Sequence, residues 1–304
     1  MNASEIKELK RQVASLVWYH SIDLGHDIVT PGYFDHRPFL DYYGLPKDLS
    51  GKTALDIGAA SGFFSFDLEK RGAKVTATDL PAWMNHDFGP VHQPDKSPDE
   101  GRRYLHDPFA LAKRVLGSQV EKREINIYDI SPQTMGTFDL VFCGSVLLHL
   151  TDPIKALWQI ASVTREMAII ATVIHQDVDS EPLALFMGHH KTASWWIPNR
   201  RCFEIMVQNA GFKSWEWVSE FRLDYRDGRP GLYHGVIRAW NTDRSSLRPT
   251  ERDDVTIQTP EPPVGLRQSL AVRDAEIMRL QKLADGYERG HFIQLMKWLS
   301  SLRR

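Results

Sequence analysis

Residues 54–66 read Ala-Leu-Asp-Ile-Gly-Ala-Ala-Ser-Gly-Phe-Phe-Ser-Phe. A short apolar run (53–57) enters a turn with glycines at 58 and 62, and Phe63, Phe64, Phe66 and Leu68 continue at helical spacing. Gly72 and Ala73 end that helix, and residues 74–78 form a second apolar strand closed by Asp79. This is a strand–helix–strand unit, whose glycine-rich turn lets a ligand approach the backbone at the C-terminal edge of a parallel sheet.

The same alternation continues outward. Further strands are expected near 124–127, at 138–143 and at 167–174, with helices around 108–116 and 153–161. After a helix at 201–209 come two adjacent strands, 215–223 and 232–240, joined by a turn at 227–231. The expected fold is α/β, Rossmann-like: a mainly parallel seven-stranded sheet with helices on both faces and an antiparallel hairpin on one edge. Residues 5–19 carry Ile6, Leu9, Val13, Leu16 and Val17 at helical spacing, and an aperiodic loop follows. Together residues 1–50 form a cap over the open end of the sheet. The core domain spans 51–241, with a His-, Trp- and Met-rich lid at 181–199. Residues 242–265 are Pro-, Ser-, Thr- and Asp-rich and read as a linker to a helical tail at 266–304.

The composition is that of a globular protein: of 304 residues, 42% are hydrophobic and 25% charged. A formal net charge of -2 argues against a nucleic-acid partner. The two cysteines, Cys143 and Cys202, lack zinc-site spacing, and no metal site is expected. The longest apolar run, 167–174, is too short to span a bilayer, and the first twenty residues lack a signal-peptide core, so a cytoplasmic location is expected.

Asp79 lies 21 positions after Gly58, where a carboxylate can accept hydrogen bonds from both ribose hydroxyls of an adenosine. A nicotinamide-dinucleotide fingerprint starting at Gly58 fails, because Ala60 and Phe63 stand where its second and third glycines belong. The pattern Asp56-x-Gly58-x-Ala60-x-Gly62 instead resembles the DxGxGxG loop of class I S-adenosyl-L-methionine (SAM) methyltransferases. The stretch FDLVFCGSVLLHLTDPIKALWQI (138–160) resembles their fourth-strand region. From about residue 18 to 240 the chain is similar to the branch that contains the tRNA wobble-uridine carboxymethyltransferase.

The resemblance implies SAM as cofactor. Asp56, Gly58, Ala60 and Gly62 would form its loop, Asp79 with Leu80 would hold the ribose, Tyr128 and Asp129 would flank the adenine, and Gly144 would offer backbone to the amino-acid end. In the tRNA enzyme of this branch a lysine, a tyrosine and an arginine read the extra carboxylate of carboxy-SAM. His20, Leu148 and Tyr233 stand there in this chain. Because an unpaired carboxylate in a closed site is costly, ordinary SAM and methyl transfer are expected.

A hydroxyl acceptor is commonly activated by a nearby His or Asp. His149, just past the fourth strand, is the first candidate, with His20 and His36 from the cap beside it; a structural role at a helix start competes for His149. Asp23, Asp35 and His36 could form an acceptor-facing set. Trp195, Trp196 and Pro198 suit either an aromatic wall or packing beneath the lid. His189 and His190 are adjacent and would point apart, which does not favour a metal. In the tail, eight basic residues face four acidic ones from Arg267 to Arg304, a local charge of +4. With Trp298 beside the apolar stripe of Phe292, Leu295, Met296, Leu299 and Leu302, this tail suits a peripheral contact with the inner face of a membrane, a homo-oligomer, or packing on its own protein. The expected activity is methylation of a small-molecule or glycan-precursor hydroxyl. The alternatives are a wobble-uridine tRNA enzyme and a non-catalytic SAM-binding scaffold.

Overall fold

The computed structural model describes residues 1–176, 181–188 and 193–242. The chain divides into two compact units, Met1–Ile257 and Gln258–Arg304. The helical tail, most of the linker and the His189-His190 pair lie outside the described residues.

The cap opens with α1 (Ala3–Ala14), started by a capping box between Asn2 and Glu5. The core then runs β1 (Thr53–Ile57), α2 (Phe63–Lys70), β2 (Lys74–Asp79), α3 (Pro98–Leu116), β3 (Glu121–Glu124), α4 (Pro132–Met135), β4 (Phe138–Gly144), α5 (Pro153–Val163) and β5 (Thr164–Ile174). A small lid hairpin, β6 (Ala184–Phe186) and β7 (Trp196–Pro198), precedes α6 (Arg200–Asn209), β8 (Ser214–Leu223) and β9 (Leu232–Trp240).

Seven strands form one sheet in the order β3-β2-β1-β4-β5-β9-β8. The first five are parallel; β9 pairs antiparallel with both β5 and β8. Side chains alternate across it as the strand period requires. Ala54, Leu140, Phe142, Ile169 and Ala171 pack toward the cap, α2 and α3, whereas Leu55, Val141, Cys143, Ala168 and Ile170 pack toward α5 and α6. The strand order reverses at β1 and β4, which opens a crevice at their C-terminal ends.

Several expected boundaries move. Helix α3 starts at Pro98, ten residues before the expected 108, because Ser97 and Glu100 form a capping box with proline in the first turn; Pro108 lies inside the helix. Strand β3 is the charged stretch Glu121–Glu124 rather than 124–127, as suits an outer strand protected from pairing by its charges. Helix α1 stops at Ala14, since Trp18 and Tyr19 turn into the cap. The β6–β7 pairing inside the lid has no counterpart in the sequence reading.

The cap is tied at two points along the C-terminal edge of the sheet. Tyr19 donates its backbone N–H to Ser61 Oγ at 3.0 Å, beside the glycine loop. At the β8–β9 turn, Arg226 donates its backbone N–H to the Tyr33 carbonyl at 2.9 Å and Nη1 to the Thr30 carbonyl at 2.8 Å.

Candidate cofactor and acceptor site

A cleft of about 1320 Å³, including the open space at its mouth, follows the C-terminal ends of β1, β2 and β4. The loop after β1 forms its floor. Gly58 has φ +73°, and a Cβ there would lie 2.5 Å from Val146 Cγ2, so both backbone and space demand glycine. Ala60 adopts φ +46°, the left-handed region, where the resembling loop carries a glycine. Gly62 caps α2 at φ +93°. It serves packing rather than the cleft wall, since a Cβ would meet Phe66 and Phe109 at 2.6 and 2.7 Å.

Asp79 is fixed before any ligand arrives. Oδ2 accepts the Ala60 N–H at 3.0 Å and Oδ1 the Leu80 N–H at 2.9 Å. Lys122 Nζ stands 4.0 Å from Oδ2, donates to the Leu105 carbonyl at 3.0 Å and lies 4.5 Å from the Phe109 ring centroid. Burial lowers the Lys122 pKa. Beneath the loop, Asp56 accepts the Ser65 hydroxyl at 2.5 Å, and burial pushes its carboxyl up to about 7.

Of the residues expected to hold cofactor, Asp56, Gly58, Ala60, Asp79, Leu80, Tyr128 and Gly144 all line this cleft. Gly62 and Asp129 do not; on the far wall Asn126, Ile127 and Tyr128 take the place expected for Asp129. Trp83, Tyr104, Leu105 and Asp87 also line it and were missed, because they sit in the aperiodic stretch after β2 and on the early turns of α3.

The three candidate histidines separate. His20 lines the cleft, is 5% exposed, and its Nδ1 has no hydrogen-bond partner. Burial pushes its pKa down to about 3. His36 lies behind it, ring centroids 5.1 Å apart, outside the cleft wall, with Nδ1 at 2.8 Å from the Tyr43 hydroxyl; burial lowers its pKa as well. His149 lines the cleft within the β4–α5 connection, and its Nδ1 bonds the Ala193 carbonyl of the lid. A carbonyl can only accept, so Nδ1 carries the proton and Nε2 is the basic nitrogen of the neutral ring.

Asp23, Asp35 and His36 do not form an acceptor-facing set. Asp23 accepts the Gly25 N–H, and Asp35 pairs with Arg37 at 2.6 Å. Leu148 packs with Val173 and Ile197 and Tyr233 beside β5, so of the three positions compared with the carboxylate-reading trio only His20 reaches the cleft. Trp195 and Trp196 fasten the lid: their indole N–H groups donate to the carbonyls of Asp87 at 2.6 Å and Thr151 at 3.2 Å. No group of three or more potential metal ligands occurs among the described residues.

A family profile described as a methyltransferase domain matches residues 36–216. The chain belongs to this methyltransferase family. The chain is 26% identical over 129 residues to the ubiquinone biosynthesis O-methyltransferase of Dechloromonas aromatica, covering 41% of this chain and 45% of that one. It is 30% identical over 114 residues to the enzyme of that name from Xanthomonas oryzae, covering 38% and 39%. The chain thus spans less than half the length of these curated relatives. In fold it is similar to the N-terminal domain of EvdMO1, solved with SAH and D-fucose, at a TM-score of 0.52 and 17% identity, over 79% of this chain and 97% of that one.

This methyltransferase fold uses SAM, and the cleft fits it on its own terms: a Cβ-free cradle at Gly58, a carboxylate prefixed at Asp79 and an unpartnered polar atom at His20. When bound, SAM supplies an electrophilic methyl group on a sulfonium sulfur. The chain's own residues would orient it.

Proposed function

We propose that this methyltransferase transfers a methyl group from SAM to a hydroxyl of a small molecule or glycan precursor that carries no phosphate. One observation carries the reading: among the described residues lining the cleft are three carboxylates, Asp56, Asp79 and Asp87, and no lysine or arginine. A lining with acidic and no basic side chains suits the sulfonium cation and offers no cationic partner for the second carboxylate of carboxy-SAM or for a phosphate at the reacting end. The likeness to O-methyltransferases of ubiquinone biosynthesis supports transfer to oxygen. His149 acts as general base through Nε2, His20 contacts the reacting end of the cleft, and His36 supports His20 from behind.

The resemblance to the wobble-uridine branch carries a second reading, modification of a tRNA base, which the same lining disfavours. Incorporation of labelled methyl from SAM into a host extract, split into RNA, lipid-linked glycan and small-molecule fractions, tests the choice. Label in the glycan or small-molecule fraction is expected. Label confined to RNA, or tighter binding of carboxy-SAM than of SAM in calorimetry, would overturn it.

A further inference from the structure

Asp87 lies between β2 and α3 and joins parts of the cleft that are far apart in the chain. Its Oδ2 accepts the Tyr128 hydroxyl at 2.8 Å and both the backbone N–H and the hydroxyl of Thr151 at 2.7 Å. Its carbonyl accepts the Trp195 indole N–H at 2.6 Å. The phenol oxygen of Tyr128 accepts the Asp152 N–H at 3.0 Å. Burial pushes the Tyr128 pKa up to about 12, so the phenol keeps the proton it donates.

The lid hangs from the same knot. Trp195 donates its backbone N–H to the Leu148 carbonyl at 2.7 Å, and its own carbonyl accepts the Met187 N–H at 2.8 Å, which joins the two arms of the hairpin. The Trp196 indole reaches Thr151, and the carbonyl of Ala193 holds His149 Nδ1. Asp87 and Tyr128 both line the cleft on the side of Asn126 and Ile127, whereas the lid covers the side of His149.

We propose that Asp87 is a positioning residue that couples the two sides. Cofactor held against Tyr128 steadies the Tyr128–Asp87 hydrogen bond, Asp87 steadies Thr151 and Trp195, and the lid is held more firmly over His149 when the cofactor is bound. A bound molecule shifts such an equilibrium only through contacts that differ between the two arrangements, and Tyr128 supplies one: its ring keeps a single orientation while its hydroxyl is bonded to Asp87. Binding would then be ordered, cofactor before acceptor. The proposal rests on the assignment of this cleft to SAM, and its test separates the two.

Hydrogen exchange of the full chain, followed with and without S-adenosylhomocysteine, reads the loop through the Ala60 amide and the lid through the Met187 and Trp195 amides. In the wild type, ligand should slow all three, the lid amides by about 5-fold or more. In Asp87→Ala, Ala60 should still slow while Met187 and Trp195 lose the response. Asp87→Asn, which keeps one acceptor oxygen, should restore part of it. Thr151→Val, which removes one of the bonds to the same carboxylate, should weaken it and serves if the alanine variant does not fold. Lid amides that respond in Asp87→Ala or Thr151→Val as in the wild type would overturn the coupling, as would a wild-type lid indifferent to ligand while Ala60 slows. No slowing at Ala60 in the wild type would overturn the cofactor assignment and the coupling with it.

Discussion

Ala60 donates its backbone N–H to Asp79 Oδ2 at 3.0 Å, linking the loop after β1 to the end of β2. The bond orients the carboxylate toward the cleft, and the left-handed turn at Ala60 aims the N–H. The loop and the acidic residue thus act as one preorganised unit.

Replacing Asp79 with alanine removes the carboxylate proposed to accept the ribose hydroxyls and leaves the Ala60 and Leu80 amides without their partner. Affinity for S-adenosylhomocysteine by calorimetry should fall about 10- to 100-fold, the range for a charge-assisted hydrogen-bond pair. Full affinity would refute the ribose assignment.

Ala60 occupies φ +46°, which glycine adopts without a Cβ penalty. Ala60→Gly should raise stability by about 0.5–1 kcal/mol, after the added freedom of the unfolded chain offsets part of the relief. Gly58→Ala should do the reverse and abolish cofactor binding, since its Cβ would meet Val146 at 2.5 Å. Thermal melts with and without S-adenosylhomocysteine read both effects, and an unchanged melt for Gly58→Ala would contradict the steric argument.

For His149, substitution by alanine should lower methyl transfer into the labelled extract fraction by about 10²- to 10⁴-fold, the usual contribution of a general base. Binding of S-adenosylhomocysteine should stay as in the wild type. Unchanged transfer with binding intact would retire the catalytic role.

Burial lowers the pKa of His20 to about 3 and of His234 to about 4, so both are neutral in the folded protein and titrate near 6.5 when unfolded. The unfolded state therefore binds more protons below about pH 6.5, and stability falls as pH falls toward the folded values. From pH 7 to 5 each should remove about 2 kcal/mol. Asp56, raised to about 7, acts in the opposite sense, with stability falling as pH rises from about 4 to 7. Comparing denaturation of His234→Phe with the wild type isolates one histidine: the gap between them should shift by about 2 kcal/mol over that interval. A gap that stays constant would show that His234 is not buried neutral.

The sequence by itself determined the α/β sheet, the edge hairpin, the glycine loop and the Asp79 position. These features rest on signals carried by neighbours in the chain: the two periods of strand and helix, the glycines at Gly58 and Gly62, and the distance from the loop to the end of the next strand. Boundaries failed where two local signals competed, as when Pro108 looked like a helix start although the Ser97–Glu100 box had already opened α3. Tertiary structure alone decided which side chains share the cleft. It brought His20 to the wall and left His36 behind it, put Lys122 beside Asp79, placed Asn126 rather than Asp129 on the cleft wall, and, of the two roles open to Trp195 and Trp196, gave them that of fastening the lid. Those contacts join segments as far apart as Asp87 and Trp195, and they depend on how the cap, the loops and the lid pack over the sheet, which no local periodicity encodes.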